Sequence, residues 1–212
     1  MKEKRADILV ITPHPDDAEF GVAGTVVHWA REGKVVVYVV CTNGDKGTDN
    51  IKIKPEKLAK IREKEQLEAA KILGVKDVIF LGHSDQNLED TPEFRKEIVK
   101  LIRLYKPEIV VTADPYRRYI WHRDHRIVGQ VTLDAVFPYA RDIWAYPDLI
   151  EQGLKPHSVK EIWFWASKNL FLQKWKNGCV SGLKVWQKEK SSNWPKAFTG
   201  LKYGGKRSLL SS

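Results

Sequence analysis

The chain has few of the features that mark secreted, membrane-spanning or disulfide-bonded proteins. Its 212 residues include two cysteines, Cys41 and Cys179, which are far apart and in no metal-binding spacing, so we expect free thiols. No apolar run approaches the roughly 20 residues that a transmembrane helix needs. The apolar run after the basic N-terminus stops at Thr12, which is too short for a secretory signal peptide. These absences predict a cytoplasmic protein with no membrane partner.

Most of the chain also lacks an excess of either charge, although the whole protein has a formal net charge of +9. Residues 167–212 contain ten Lys or Arg and one acidic residue, Glu189, so this segment accounts for the entire excess. Basic residues interleaved with tryptophans can bind nucleic acid through phosphate contacts and stacking. A non-catalytic protein that binds nucleic acid or another polyanion is therefore the alternative function. The neutral body argues against it, and we expect no nucleic-acid partner.

The length, with 42% apolar and 30% charged residues, is typical of one soluble globular domain. Apolar runs that suit strands covered on both faces alternate with helical patterns. The predicted strands are Asp7–Thr12, Val35–Cys41, Asp77–Leu81, Ile109–Thr112 and EIWFWAS, and the predicted helices are Ala23–Glu32, Pro55–Leu73, Pro92–Tyr105 and about His125–Val136. This alternation predicts a Rossmann-like, doubly wound α/β fold with a mostly parallel sheet in three α/β/α layers over residues 1–167. Residues 168–212 have no sustained period, and we predict no element there.

The stretch ILVITPHPDDAEFG, Ile8–Gly21, places a histidine and two adjacent carboxylates directly after the first predicted strand. Packing does not explain them, because carboxylates are costly to bury unless they are paired or bound to a metal. The stretch is therefore either an acidic surface loop or the start of a reaction site. The carboxyl ends of strands are where open α/β sheets bind ligands. In a reaction site, His14 and Asp17 would supply two of the three protein ligands that a catalytic zinc commonly has.

A histidine pair in WHRDHR follows the Ile109–Thr112 strand and is expected at the same edge of the sheet. His122 and His125 are three residues apart at the start of a predicted helix and can face one cavity. One of them is expected to complete the metal site and the other to contact the substrate, and the spacing does not decide which. The convergence of the two motifs favours a reaction site over an acidic surface loop.

The chain resembles the LmbE-like (PIG-L) family of zinc-dependent N-acetylglucosaminyl deacetylases over roughly residues 6–167. The resemblance rests on PHPDDAEFG, TNGDKG and HRDH, supported by REKEQLEAAKILGV, DQNL and FPYARD. It implies one zinc ion bound by His14, Asp17 and His125, with Asp16 as the general base and His122 as the group that stabilises the oxyanion. Either Asp16 or His122 would protonate the leaving amine. The resemblance also implies a homo-oligomer, either a trimer or a hexamer.

The resemblance further implies a small N-acetylated sugar as substrate, of the N-acetylglucosamine type, which loses its acetyl group to a metal-activated water. Arg62 and Asp85 match positions that contact the sugar in family members, and Arg141 is a weaker candidate for that role. Asp124 is expected to orient a histidine ring nitrogen, as carboxylates next to metal ligands often do. The ordinary alternatives are an Arg–Glu helix pair for Arg62, a turn for Asp85 and a surface ion pair for Arg141.

Overall fold

A computed structural model describes residues 4–118 and 122–165, together with the backbone of two further strands that follow them. The strands are β1 (Ile8–Thr12), β2 (Val36–Thr42), β3 (Asp77–His83), β4 (Ile109–Ala113), β5 (Glu161–Trp165), β6 (Leu170–Lys176) and β7 (Cys179–Trp186). The helices are α1 (Asp17–Arg31), α2 (Pro55–Leu73), α3 (Pro92–Tyr105), α4 (Arg123–Asp134) and α5 (Pro147–Glu151), with an irregular turn at Ala135–Tyr139 after α4.

All seven strands belong to one sheet, in the order β3-β2-β1-β4-β5-β6-β7. The first five pair in parallel, and β6 and β7 extend the sheet antiparallel. This confirms the predicted doubly wound, mostly parallel α/β fold. Because β1 pairs with β2 on one side and β4 on the other, the chain changes direction across the sheet between β1 and β4. In such sheets, ligands bind at the carboxyl ends of the strands beside this switch point.

Helices cover both faces of the sheet. Successive side chains of a strand point to opposite faces, so each buried strand contributes to two apolar clusters. Ile8 and Val10 of β1 belong to an apolar cluster that also contains residues of α1 and α2. Leu9 and Ile11 belong to a second cluster, with residues of α3 and α4. All five residues of β1 are buried, which explains the continuous apolar run that precedes the histidine.

Local capping explains where two of the helices begin and end. The side chain of Thr91 accepts a hydrogen bond from the backbone N–H of Phe94 at the start of α3, before Pro92 in the first turn. Gly74, with φ 79°, ends α2 in the left-handed conformation that glycine adopts without strain. Both helices have the bounds that the sequence predicts. α1 differs: it begins at Asp17, whereas the apolar pattern predicts a start at Ala23.

A close approach of backbones fixes α4 against the sheet. A Cβ atom on Gly129 would lie 2.5 Å from the carbonyl oxygen of Ala113 and 3.0 Å from Cδ of Pro115. The helix begins at Arg123, two residues before the predicted start at His125. Gly129, in the second turn of the helix, therefore allows α4 to lie close to the carboxyl end of β4.

A buried arginine holds the segment that follows α4. Arg103 of α3 is fully buried and donates hydrogen bonds to the carbonyl oxygens of Tyr139, Ala140, Asp142, Ala145 and Tyr146. A buried guanidinium is tolerated only when its donors are satisfied. Residues 139–146, which contain Arg141, therefore take their course from one side chain of α3.

Two strands, β6 and β7, occur after Ser167, where the sequence predicts no element. They pair with each other antiparallel. Their apolar alternation is interrupted by lysines and by Gly182, which hides the period of two that marks a strand. Residues 187–212 lie outside the described part of the chain. Among the residues that are described, no helix has the length and apolar character needed to cross a bilayer.

We expect Gly129→Ala to lower the free energy of unfolding by about 1–3 kcal/mol, the usual cost of adding a methyl group to a packed core. The new methyl group would overlap the carbonyl oxygen of Ala113, and this cost outweighs the better helix propensity of alanine. Urea denaturation measures the change. Lys71→Ala, at an exposed position of α2, is the control and should change stability by less than about 0.5 kcal/mol. Equal stabilities of the two variants would contradict the close approach.

Candidate metal centre and active site

His14 lies in the loop after β1 and is held by Asp17, the first residue of α1. Oδ2 of Asp17 accepts a hydrogen bond from the backbone N–H of His14 at 2.9 Å and lies 3.0 Å from Nδ1 of its ring. Each of the two residues is 9% exposed. Asp16 between them has φ 91°, and its side chain is 48% exposed. The left-handed turn at Asp16 therefore directs the two neighbouring carboxylates into different environments.

The loop after β4 brings two more imidazoles to His14. His122 caps α4, since its Nδ1 accepts a hydrogen bond from the backbone N–H of Asp124 at 3.3 Å. The ring centroid of His14 lies 4.5 Å from that of His122 and 5.2 Å from that of His125. Nε2 of His125 lies 3.3 Å from Oδ1 of Asp17. The structure thus brings together the histidines and Asp17 at the switch point between β1 and β4.

Two further carboxylates contact the other nitrogen of the His14 ring. Nε2 of His14 lies 3.1 Å from Oδ2 of Asp124, in a hydrogen bond, and 3.1 Å from Oδ1 of Asp85. Asp124 is fully buried, and its Oδ2 also accepts the backbone N–H of Gln86 at 2.7 Å. Asp124 therefore has the contact expected of a carboxylate that orients a ring nitrogen. Asp85, expected at the sugar, lies against His14 as well.

Asp16 is contacted by α2 through two side chains one helical turn apart. Nη2 of Arg62 donates to Oδ2 of Asp16 at 2.7 Å and to the carbonyl oxygen of Pro15 at 2.6 Å. Gln66 accepts the backbone N–H of Asp16 at 2.9 Å. Arg62 is thus the partner of the neighbouring loop rather than of a glutamate on its own helix. The sequence did not single out Gln66, although its spacing of four from Arg62 was a usable signal.

Burial and nearby charges shift the pKa values in this cluster. Burial by itself lowers the pKa of His14, but the contacts with Asp17 and Asp85 and their charges raise it to about 10. Burial lowers the pKa of His125. Partial burial raises the pKa of Asp16, against the effect of a neighbouring guanidinium. The carboxylates around His14 therefore favour a positive charge at this position.

The side chains present here fit a metal ion. Two overlapping groups have one ligand atom per residue within 4.8 Å of one another: His14, His122 and His125, and His14, Asp85, His122 and Asp124. Oδ1 of Asp124 is buried and forms no hydrogen bond with the described residues. Oδ1 of Asp85 is also buried, and its contact is the 3.1 Å ion pair with Nε2 of His14. Asp17, which contacts His14 and His125, adds a further carboxylate. Imidazole nitrogens and carboxylate oxygens are ligands that suit zinc and related divalent ions.

The loop after β2, which contains Asp45 and Lys46, holds the backbone at Asp85. The carboxylate of Asp45 accepts the backbone N–H of Asp85 at 2.9 Å and the hydroxyl of Ser84 at 3.1 Å. Lys46 donates to the same hydroxyl at 3.1 Å and to the carbonyl oxygen of Asp85. The TNGDKG motif thus acts on the site through the Ser84–Asp85 backbone, a role that the sequence did not suggest.

Arg141 is not brought to the cluster by any contact among the described residues. Its side chain is exposed, and its guanidinium lies 4.7 Å from the ring centroid of Phe137.

We expect Asp45→Ala to lower the free energy of unfolding by about 1–3 kcal/mol, because the backbone N–H of Asp85 loses its acceptor in a partly buried loop. Asp49→Ala, at an exposed position of the same loop, is the matched control and should stay within about 0.5 kcal/mol of the parent protein. Urea denaturation of the two variants makes the comparison. A loss of the same size in both would show that Asp45 has no special role.

Comparisons with known proteins show which family the chain resembles. The family model PIG-L, described as GlcNAc-PI de-N-acetylase, matches residues 9–136. The chain is 39% identical over 158 residues to the diacetylchitobiose deacetylase of Thermococcus kodakarensis, covering 74% of this chain and 59% of that protein. It is 36% identical over 141 residues to a probable N-acetyl-alpha-D-glucosaminyl L-malate deacetylase 2 of Bacillus anthracis, covering 64% of this chain and 61% of that protein.

Solved structures include a similar protein with an inhibitor. The N,N'-diacetylchitobiose deacetylase from Pyrococcus horikoshii, complexed with its inhibitor MPG, superposes with a TM-score of 0.75 at 33% identity, covering 77% of this chain and 61% of that one. The chain spans about three fifths of the length of these relatives. The family match includes β4, all of β1 except Ile8, the PHPDDAEFG motif and the HRDH motif. With more than half of its residues matched, the chain belongs to the PIG-L (LmbE-like) family.

Proposed function

We propose that the protein is a metal-dependent amide hydrolase that removes the N-acetyl group from an N-acetylglucosamine-type sugar or sugar conjugate. The observation that carries the proposal is the contact of Asp17 with both His14 and His125, next to the half-exposed carboxylate of Asp16, which pairs with Arg62. The relatives named above are deacetylases of diacetylchitobiose and, as a probable assignment, of an N-acetylglucosaminyl malate. Substrates of that chemistry are therefore the first to test.

We assign one zinc ion to this site, with His14, Asp17 and His125 as its ligands. The two oxygens of Asp17 lie 3.0 Å from Nδ1 of His14 and 3.3 Å from Nε2 of His125, so one carboxylate joins both imidazoles. Asp124 hydrogen-bonds the opposite nitrogen of His14, which leaves Nδ1 for a metal and fixes the ring. When bound, zinc supplies Lewis-acid chemistry, because it lowers the pKa of water and polarises an amide carbonyl.

Asp16 is the group that we assign to accept the proton of the attacking water. Its side chain is more exposed than that of Asp17. It is still partly buried, and this partial burial raises its pKa towards the range in which a carboxylate exchanges protons efficiently. The guanidinium of Arg62 fixes Oδ2 at 2.7 Å. The other oxygen is then the one available for proton transfer. Asp16 would return the same proton to the leaving amine.

His122 is assigned to stabilise the oxyanion. Its side chain is 41% exposed, and Nε2 lies 3.9 Å from Oδ1 of Asp85. Because Nδ1 accepts the backbone N–H of Asp124, the neutral ring carries its proton on Nε2. That N–H is the donor available to a negative charge developing on an amide oxygen. Keeping this proton makes His122 the weaker candidate for protonating the amine.

Arg62 and Asp85 remain our proposed contacts for the sugar, since both lie beside the assigned catalytic groups. Arg141 is proposed for the same role on the family resemblance alone. We also propose, on that resemblance, a homo-oligomer of three or six chains, which sedimentation velocity would test. A cytoplasmic location is proposed from the composition, and cell fractionation would test it.

We expect His125→Ala to lose most of the approximately one zinc ion per chain that the site should hold, because one of three protein ligands is removed. Metal content after dialysis, measured by mass spectrometry, reports the loss. His28→Ala, at an exposed position of α1 next to Glu32, is the matched control and should keep its zinc. Unchanged zinc affinity in a folded His125→Ala variant would exclude the assignment of this ligand.

We expect Asp16→Asn to keep its zinc but to release acetate roughly 10²- to 10⁴-fold more slowly, because an amide cannot accept the proton. The assay uses diacetylchitobiose and N-acetylglucosamine as substrates, and Asp49→Asn as the control with an exposed carboxylate. Full activity in Asp16→Asn would mean that another group is the base.

A further inference from the structure

One buried amide of α2 contacts the loop that carries Asp16. Gln66 is 3% exposed, and its carbonyl oxygen accepts the backbone N–H of Asp16 at 2.9 Å. Its NH₂ group donates to Oε1 of Glu19 at 2.9 Å. Glu19 can only accept when it is ionised, and the Asp16 N–H can only donate. The two partners therefore allow one orientation of the Gln66 amide.

The same peptide bond is held at its other end. The carbonyl oxygen of Pro15 and the N–H of Asp16 belong to one peptide unit, and Arg62 donates to that carbonyl at 2.6 Å. Arg62 and Gln66 are four residues apart on α2 and face the same loop. The two side chains thus hold the Pro15–Asp16 peptide from both sides.

The peptide needs such support because of its conformation. Asp16 has φ 91° and ψ −23°, in a region that residues with a side chain adopt only when the surrounding structure imposes it. The side chain of Asp16 makes no capping hydrogen bond to α1. Hydrogen bonds from α2 to the peptide therefore provide the constraint that directs the Asp16 carboxylate away from Asp17.

We propose that Gln66 is a positioning residue for Asp16, and that Glu19 fixes the orientation of its amide. The proposal rests on the proposed function for the role of Asp16, but the contacts stand independently of it. Among the described contacts, the side chain of Gln66 bonds the backbone of Asp16 and the carboxylate of Glu19, and none of the assigned zinc ligands. Its effect on turnover would pass through the backbone of Asp16.

The test uses Gln66→Leu, which keeps the approximate size but removes both hydrogen bonds. We expect kcat to fall roughly 10- to 100-fold, as small misplacements of catalytic groups do, with KM within about twofold and an unchanged zinc content. The amide proton of Asp16, followed by NMR, should exchange with solvent at least tenfold faster than in the parent protein, since its acceptor is gone. Glu63→Gln, at an exposed position of α2, is the control.

An exchange of the two partners tests the hydrogen bonds themselves. Gln66→Glu alone places two carboxylates against each other and should lower kcat. The double variant Gln66→Glu/Glu19→Gln reverses the donor and the acceptor, restores both hydrogen bonds and should recover most of kcat and the slow exchange at Asp16. This pair also decides the question if Gln66→Leu does not fold.

The outcomes separate the two proposals. If the parent protein releases no acetate with any metal, the proposed function fails, and the Asp16 amide exchange still decides whether Gln66 holds the loop. If Gln66→Leu leaves both kcat and that exchange unchanged, Gln66 is not a positioning residue. A loss of kcat that the double variant does not recover would show that Gln66 serves general stability instead.

Discussion

The imidazole of His14 is contacted by a carboxylate at each nitrogen, and the rest of the site depends on this arrangement. Asp17 lies 3.0 Å from Nδ1, and Asp124 lies 3.1 Å from Nε2. All three side chains are buried, and buried charges are tolerated only when they are paired or bind a metal. The carboxylates come from α1, which connects β1 to β2, and from α4, which lies between β4 and β5. Both can contact His14 only if these two connections meet beside its ring.

The fold supplies favourable positions for these carboxylates. Asp17 and Asp124 each lie in the first turn of a helix, where backbone N–H groups and the helix dipole stabilise negative charge. Two glycines allow the helices to come close enough. Gly129 brings α4 against β4, and a Cβ atom on Gly21 of α1 would lie 2.8 Å from the Trp165 ring. That ring packs edge-on against His125, with centroids 5.4 Å apart, so the glycines also support the histidine–carboxylate cluster.

Local signals were sufficient to predict most of the fold. A continuous apolar run marks a buried strand, and short stretches such as Thr91-Pro92 and Gly74 mark where helices begin and end. The meeting of the two motifs also followed from the sequence, since parallel strands end at one edge. The contacts between elements could not be predicted in this way. The left-handed residue Asp16 precedes the first residue of α1, Asp17, which is earlier than the predicted start at Ala23. Gln66, which bonds the backbone of Asp16, lies 50 residues away. No periodicity links two such residues, because their contact is made only by the packing of α2 on the loop.

The central claim is that this cluster holds a metal ion through His14, Asp17 and His125. X-ray diffraction from zinc-loaded crystals, measured on both sides of the zinc absorption edge, tests it most directly. The account predicts one anomalous peak within coordination distance of these three side chains. A peak bound instead by Asp85, His122 and Asp124, or no peak anywhere in the cluster, would contradict it.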